Sequence, residues 1–224
     1  MSVESEKKIK ENIKRYVEKA VNDQGMSPMS PPDYYEIPPA HGEIKYESLP
    51  LPLRKLIDDH RSVQEHLDKL ESTLLAFKET NFRYSQEISS SFRTFFEFFD
   101  TTLLPHHQKE DKYLFPLLEK YFLIAGEHSK YMSSNKFDTP IDVMEDDHLK
   151  MLQVGSLVFN LLGIYVRIPD PTSRGIIADI IFNKGMELIE LLRIHIYQEE
   201  TILFSKAAQS LTKEELIEIE KYIQ

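Results

Sequence analysis

The chain predicts an all-α protein, an up-and-down four-helix bundle with an extra N-terminal helix, a proline-rich strap and a short C-terminal helix. Three observations carry that expectation. Only seven glycines are spread over 224 residues, and Leu, Ile, Glu and Lys are abundant, which favours helices over a turn-rich sheet protein. Apolar residues recur three and four positions apart over four long stretches, the period of one helix face. Each of those stretches also sets one histidine into its apolar stripe.

Residues 1–24 contain an amphipathic pattern over 4–22, with Ile9, Ile13, Tyr16, Val17 and Ala20 on one side. Residues 25–52, "GMSPMSPPDYYEIPPAHGEIKYESLPLP", carry seven of the twelve prolines; that density forbids a helix and predicts an extended strap or linker. The bundle proper is expected over 53–205 and the terminal helix over 206–224. Its first helix starts at Leu53, with a seam of Leu53, Leu56, His60, Val63, Leu67, Leu70, Leu74 and Phe77. The second runs from about Ser85 to Phe115 with a stripe of Phe92, Phe95, Phe96, Phe99, Leu103, His106, Glu110, Tyr113 and Leu114. Pro105 inside it predicts a kink or restart, and Pro116 the opening of a new short helix. A loop is expected over 124–140, then a third helix over 141–166 with Ile141, Met144, His148, Met151, Gly155, Val158, Leu162 and Tyr165 inward. "RIPDPTSRG" breaks the chain before a fourth helix over about 176–204, with Ile177, Ile181, Leu188, Leu191, Leu192, His195, Glu199 and Ile202 facing in. Thr212 followed by Glu215 reads as a capping box opening the last helix.

Composition removes several classes of function. A net charge of −10 repels phosphate backbones and anionic lipid heads, so neither nucleic acid nor a membrane surface is an expected partner. With no cysteine, disulfides, thiolate zinc sites, cysteine nucleophiles and cysteine-ligated clusters are excluded within the chain. The charged start lacks the apolar core of a signal peptide, and the longest uncharged run, residues 151–166, is short for a membrane span, so a cytoplasmic protein is expected.

The four inward histidines fall at 60, 106, 148 and 195, separated by 46, 42 and 47 residues. In an up-down bundle such an interval is half a helix, a loop and half the next helix, so near-equal intervals return each imidazole to one height. Two of them open a repeated motif. "HHQKEDKYLF" (106–115) and "HIYQEETILF" (195–204) share His-x-x-x-Glu-acid-x-x-Leu-Phe, which puts Glu110 and Glu199 one turn beyond His106 and His195 on the same face. A lone His-x-x-x-Glu is commonly a surface helix pair. Four histidines in register, two with the same glutamate companion, would cost several kcal/mol each in desolvation unless coordinated. Two cations answer that cost, each taking two imidazoles and sharing two carboxylates. No further cofactor is expected and no catalytic residue is assigned. His107 with Asp111 also has the four-residue spacing but shares a face with Arg93, Asp100 and Leu104, which predicts an outer or solvated position. Glu200 fits a flank, and His41, His66 and His128 fit surface or loop positions. A ferritin-like carboxylate site would need Glu-x-x-His on two helices, and only Glu145 with His148 has that spacing; the absence of a His-Asp dipeptide removes an HD-type phosphohydrolase.

With "DDHR", "HHQKEDKYLFP", "EDDHLKML" and "HIYQEETILF" on four helices, residues 53–205 resemble the hemerythrin-like HHE cation-binding family. The resemblance implies a non-haem di-iron centre, oxo- or hydroxo-bridged, with metal ligands His60, His106, Glu110, His148, His195 and Glu199; manganese or zinc would also suit this donor set. It departs from the oxygen carriers at Leu152, where they have a further histidine, and from the iron–sulfur-repair members in having no cysteine-bearing N-terminal segment. The expected function is binding of O2, NO or peroxide in sensing, scavenging or iron handling, the alternatives being a di-iron oxidase or peroxidase, an iron–sulfur-repair-like enzyme, or an interaction module with a structural metal. A homodimer through the N-terminal segment is a further expectation.

Overall fold

The computed structural model describes residues 46–125 and 139–223, and every regular element among them is helical. The amphipathic stretch over 4–22, the strap up to residue 45, most of the expected loop, and His41 and His128 lie outside the described residues. Among the described residues no helix is long and apolar enough to cross a membrane.

After a 3-10 turn at Tyr46–Ser48, helix α1 (Leu51–Glu79) carries its whole expected seam buried, His60 included. Helix α2 (Gln86–Phe98) is capped by Ser85, whose hydroxyl accepts from the Ile88 N–H at 3.1 Å. The helical path then runs on through a π turn at Phe99–Leu103, α3 (Leu104–Lys109), a second π turn at Glu110–Leu114, and α4 (Phe115–Ala125). The chain therefore neither stops at Pro105 nor starts afresh at Pro116. A proline offers no N–H and crowds the preceding turn, and in both cases a π turn, one residue longer than an α turn, sits immediately upstream to take up that misfit.

Helix α5 (Pro140–Tyr165) begins behind Thr139, whose hydroxyl accepts from the Asp142 N–H at 3.3 Å. Helix α6 (Pro171–Gln198) starts five residues before the expected 176, because Pro171 is preorganised for a first helical position and the Asp170 carboxylate caps the Ser173 N–H at 2.7 Å. A third π turn (Glu199–Leu203) leads into α7 (Phe204–Ser210), and α8 (Lys213–Glu220) opens on the Thr212–Glu215 capping box read from the sequence.

The chain divides into two compact units. The described part of one is Gln64–Asp100 with Lys150–Ile194. There Phe77 meets Phe82, Phe92 and Tyr165 edge-on at 5.2, 6.0 and 5.5 Å, and Arg193 pairs with Asp68 and Glu71 at 2.7 Å each. Gly155 lies against the Phe99 ring so closely that a Cβ would stand 2.6 Å from it, which explains a glycine in mid-helix. The other unit takes the described parts of Pro31–Val63, Thr101–Leu149 and His195–Gln224. Its apolar core joins Leu53, Leu56, Leu114, Phe115, Leu118, Phe122, Met144, Leu203, Phe204 and Ala207.

Candidate metal centre

All six residues of the expected centre belong to the second unit, and all are buried: His60 and His106 are 2% and 4% exposed, and Glu110, His195 and Glu199 are at 0%. His60 comes from α1, His106 from α3, His148 from α5 and His195 from α6, while Glu110 and Glu199 are the first residues of two π turns. The imidazoles meet as two pairs. His60 Nε2 stands 3.1 Å from His106 Nε2, and His148 Nε2 stands 2.9 Å from His195 Nε2. Each glutamate reaches both pairs. Glu110 Oε1 is 3.4 Å from His106 Nε2 and its Oε2 is 3.8 Å from His148 Nε2; Glu199 Oε2 is 3.2 Å from His60 Nε2 and its Oε1 is 3.4 Å from His195 Nε2. Two four-residue groups result, His60–His106–Glu110–Glu199 and His148–His195–Glu110–Glu199, with one donor atom per residue and all donors of a group within 4.8 Å of one another.

The outer nitrogens orient three of the four rings, while His195 Nδ1 is buried without a partner. His60 Nδ1 faces Glu200 at 3.0 Å, His106 Nδ1 faces Asp59 at 3.3 Å and His148 Nδ1 faces Asp111 at 2.7 Å. A ring N–H donates to each carboxylate, which leaves the Nε2 lone pairs turned inward, the tautomer a metal ligand requires. The inward Nε2 atoms, 3.1 and 2.9 Å apart in the two pairs, are close enough to share a proton or a cation. All four oxygens of Glu110 and Glu199 are buried without a completed hydrogen bond. Every donor at the centre is thus oriented for a cation, and the residues fit one.

Electrostatics agree. Burial holds His106 and His148 below the ordinary histidine value, as neutral imidazoles. Burial opposes a charge on His60 too, but the Glu199 and Glu200 carboxylates outweigh it and raise its pKa to about 9. Glu110 is pushed well up, first by burial and then by the neighbouring Glu199 charge. Burial acts on Glu199 in the same sense, but His195 and His60 overcome it and hold Glu199 well down. Without metal, therefore, the layer favours a proton on His60 and shifts Glu110 towards its protonated form, and an incoming cation competes with both.

The aromatic part of the motif has a defined place. Phe115, just after the first of these π turns, stacks on His148 at 5.5 Å, and Phe204, just after the second, stacks on His60 at 5.6 Å. The two motifs thereby make a pseudo-twofold site in which Glu110, Asp111 and Phe115 serve His148 as Glu199, Glu200 and Phe204 serve His60. Sequence reasoning missed Asp59 and set Glu200 aside as a flank. The available signal was adjacency, since Asp59 precedes His60 and the two motif acids follow the glutamates. Of the two positions expected for His107, the structure shows the one behind the site and not the solvated one: it is buried at 4% and stacks on His148 at 4.0 Å. His66 is half-buried against Phe98, with ring centroids 3.7 Å apart. Leu152, where oxygen carriers have a further histidine, is 40% exposed.

No curated protein and no solved structure matches the chain. The hemerythrin HHE cation-binding domain matches residues 51–207, well over half of its length, and so takes in all four histidines, both glutamates and the π turns that carry them. With the all-helical fold and this cation-ready layer, the chain belongs to the hemerythrin HHE cation-binding family.

Proposed function

We propose that the chain holds two iron ions, one between His60 and His106 and one between His148 and His195, with Glu110 and Glu199 each bridging the two. In this reading it binds O2, NO or peroxide in sensing, scavenging or iron handling. The observation that carries the reading is the sharing of both carboxylates by two otherwise separate histidine pairs. One ion would not use both pairs, and two ions without a shared carboxylate would repel across the layer. Imidazole with carboxylate suits Fe(II).

Bound there, a pair of reducible ions supplies open coordination positions and two electrons to a small ligand. The chain's own groups do the rest. Glu200, Asp59 and Asp111 fix the tautomers, Phe115 and Phe204 shield two of the imidazoles from water, and loss of the protons on His60 and Glu110 frees the donors as metal enters.

Anaerobic Fe(II) titration of the purified chain should saturate at two ions, and Glu110→Ala should lose at least one. NO or O2 added to the loaded protein should change its visible absorption. A chain that retains no ions, or a single zinc with no response to either gas, would overturn the reading. Leu152 in place of an imidazole leaves fewer protein ligands than the oxygen carriers have, which supports a second, oxidase or peroxidase reading. Continued O2 or peroxide consumption with an added reductant would select it over reversible binding.

A further inference from the structure

Within the pseudo-twofold site one position breaks the symmetry. The residue after the first histidine of the repeated motif is Ile196 in one copy and His107 in the other, and both are buried, at 5% and 4%. The isoleucine copy shows that packing at this position needs only an apolar side chain. Yet His107 Nδ1 is buried with no hydrogen-bond partner. A ring nitrogen of His107 lies within 4.8 Å of ring nitrogens of both His148 and His195, so these three histidines form a cation-ready group of their own beside the four-residue ones. The His107 ring faces His148 at 4.0 Å and meets His195 edge-on at 5.4 Å.

Resting on the two-ion reading above, we infer that His107 is a further metal ligand, the third imidazole for the ion held by His148 and His195. The terminal torsion of histidine is broad, so the His107 ring can turn to aim a nitrogen at an ion shared with His148 and His195. The centre is then unequal. The His148–His195 ion has five protein ligands and the His60–His106 ion four, and the open positions for a small ligand concentrate on the His60–His106 side. A third imidazole thus comes from α3, one position after His106, and not from α5 at Leu152.

The test is X-ray absorption on the iron-loaded wild-type chain, together with anaerobic Fe(II) titration against a competing chelator. Five imidazoles per pair of ions are expected, falling to four in His107→Ile, the residue the other motif already accommodates. In that variant one ion should bind about 10–100-fold more weakly and the other as before. Four imidazoles in the wild type, or unchanged affinities in His107→Ile, would overturn the assignment of His107 and leave the two-ion reading standing. A wild-type chain that binds fewer than two ions would overturn both. The wild-type count decides the matter even if the variant misfolds.

Discussion

Three carboxylates stand behind the imidazoles of the centre, and none is deeply buried: Asp59 is 48% exposed, Asp111 39% and Glu200 35%. Water screens a contact at such exposure, so each adds little to folding, and its main effect is on which ring nitrogen carries the proton. Asp111→Ala should therefore leave thermal stability within about 0.5 kcal/mol while weakening metal binding by about tenfold, the low end for a residue that orients a ligand. A chelator-competition titration alongside a melting curve checks both halves; a large loss of stability with unchanged affinity would contradict the orienting role. The contrast in exposure also explains what could be read from the sequence. Four histidines and two glutamates inside apolar stripes stand out because burying them has a cost that only a partner offsets. A half-exposed acid beside them looks like any solvated helix residue, so adjacency in the chain was the signal that Asp59 and Glu200 carried. The solvated alternative for His107 rested on Arg93 and Asp100, which share its face on an ideal helix.

The misplacement of Tyr113 and Ile202 belongs to the elements. An α-helical projection beyond Glu110 and Glu199 turns Tyr113 and Ile202 inward, and these two occupy the same place in the repeated motif. Both are only half-buried, while Leu114, Phe115, Leu203 and Phe204 are buried at 1% or less. The cause is the π turn that each glutamate opens, closed by the Phe115 N–H on the Glu110 carbonyl and the Phe204 N–H on the Glu199 carbonyl. Proline is not required for it, since no proline follows Glu199–Leu203. What the two turns share is a buried glutamate followed by Leu-Phe, and the extra residue brings the phenylalanine round to stack on a site histidine. Periodicity therefore located every long helix and missed the one-residue shift at the motifs, since a 3.6-residue template contains no π turn. Local chemistry was more legible at α8. Glu215 accepts from the Thr212 N–H at 2.9 Å and from the Tyr121 hydroxyl at 2.9 Å, and its pKa falls to about 2, chiefly through the Thr212 backbone N–H. A carboxylate whose folded pKa lies below its ordinary 4.5 contributes stability that is complete above pH 4.5 and is lost as the pH falls towards 2. The α8 amides should exchange faster across that window at a cost of about 1 kcal/mol, and Glu215→Gln should flatten the dependence. Identical pH profiles for variant and wild type would remove Glu215 as the cause.

At the scale of the molecule the centre is a store of uncompensated polarity. Two buried carboxylates and four buried imidazoles share one layer in a chain that already carries a net charge of −10. Without a cation the layer leaves the carboxylate oxygens of Glu110 and Glu199 buried and unpaired. Folding and metal binding are consequently linked, because the donors converge only in the folded chain and the unfolded chain competes poorly for the ions. At free Fe(II) a hundredfold above the dissociation constant, each site adds about 2.7 kcal/mol. For a chain of this length that raises the unfolding midpoint by roughly 5–10 °C per site. The gain should also be uneven along the sequence. Every donor lies in the unit containing Thr101–Leu149 and His195–Gln224, so slowing of amide exchange on metal addition should be greatest there and smaller over Gln64–Asp100 and Lys150–Ile194. Anaerobic melting curves and hydrogen exchange with and without Fe(II) measure the two effects. No rise in the midpoint, or a gain in protection concentrated over 64–100 and 150–194, would place the cation somewhere other than between these histidines.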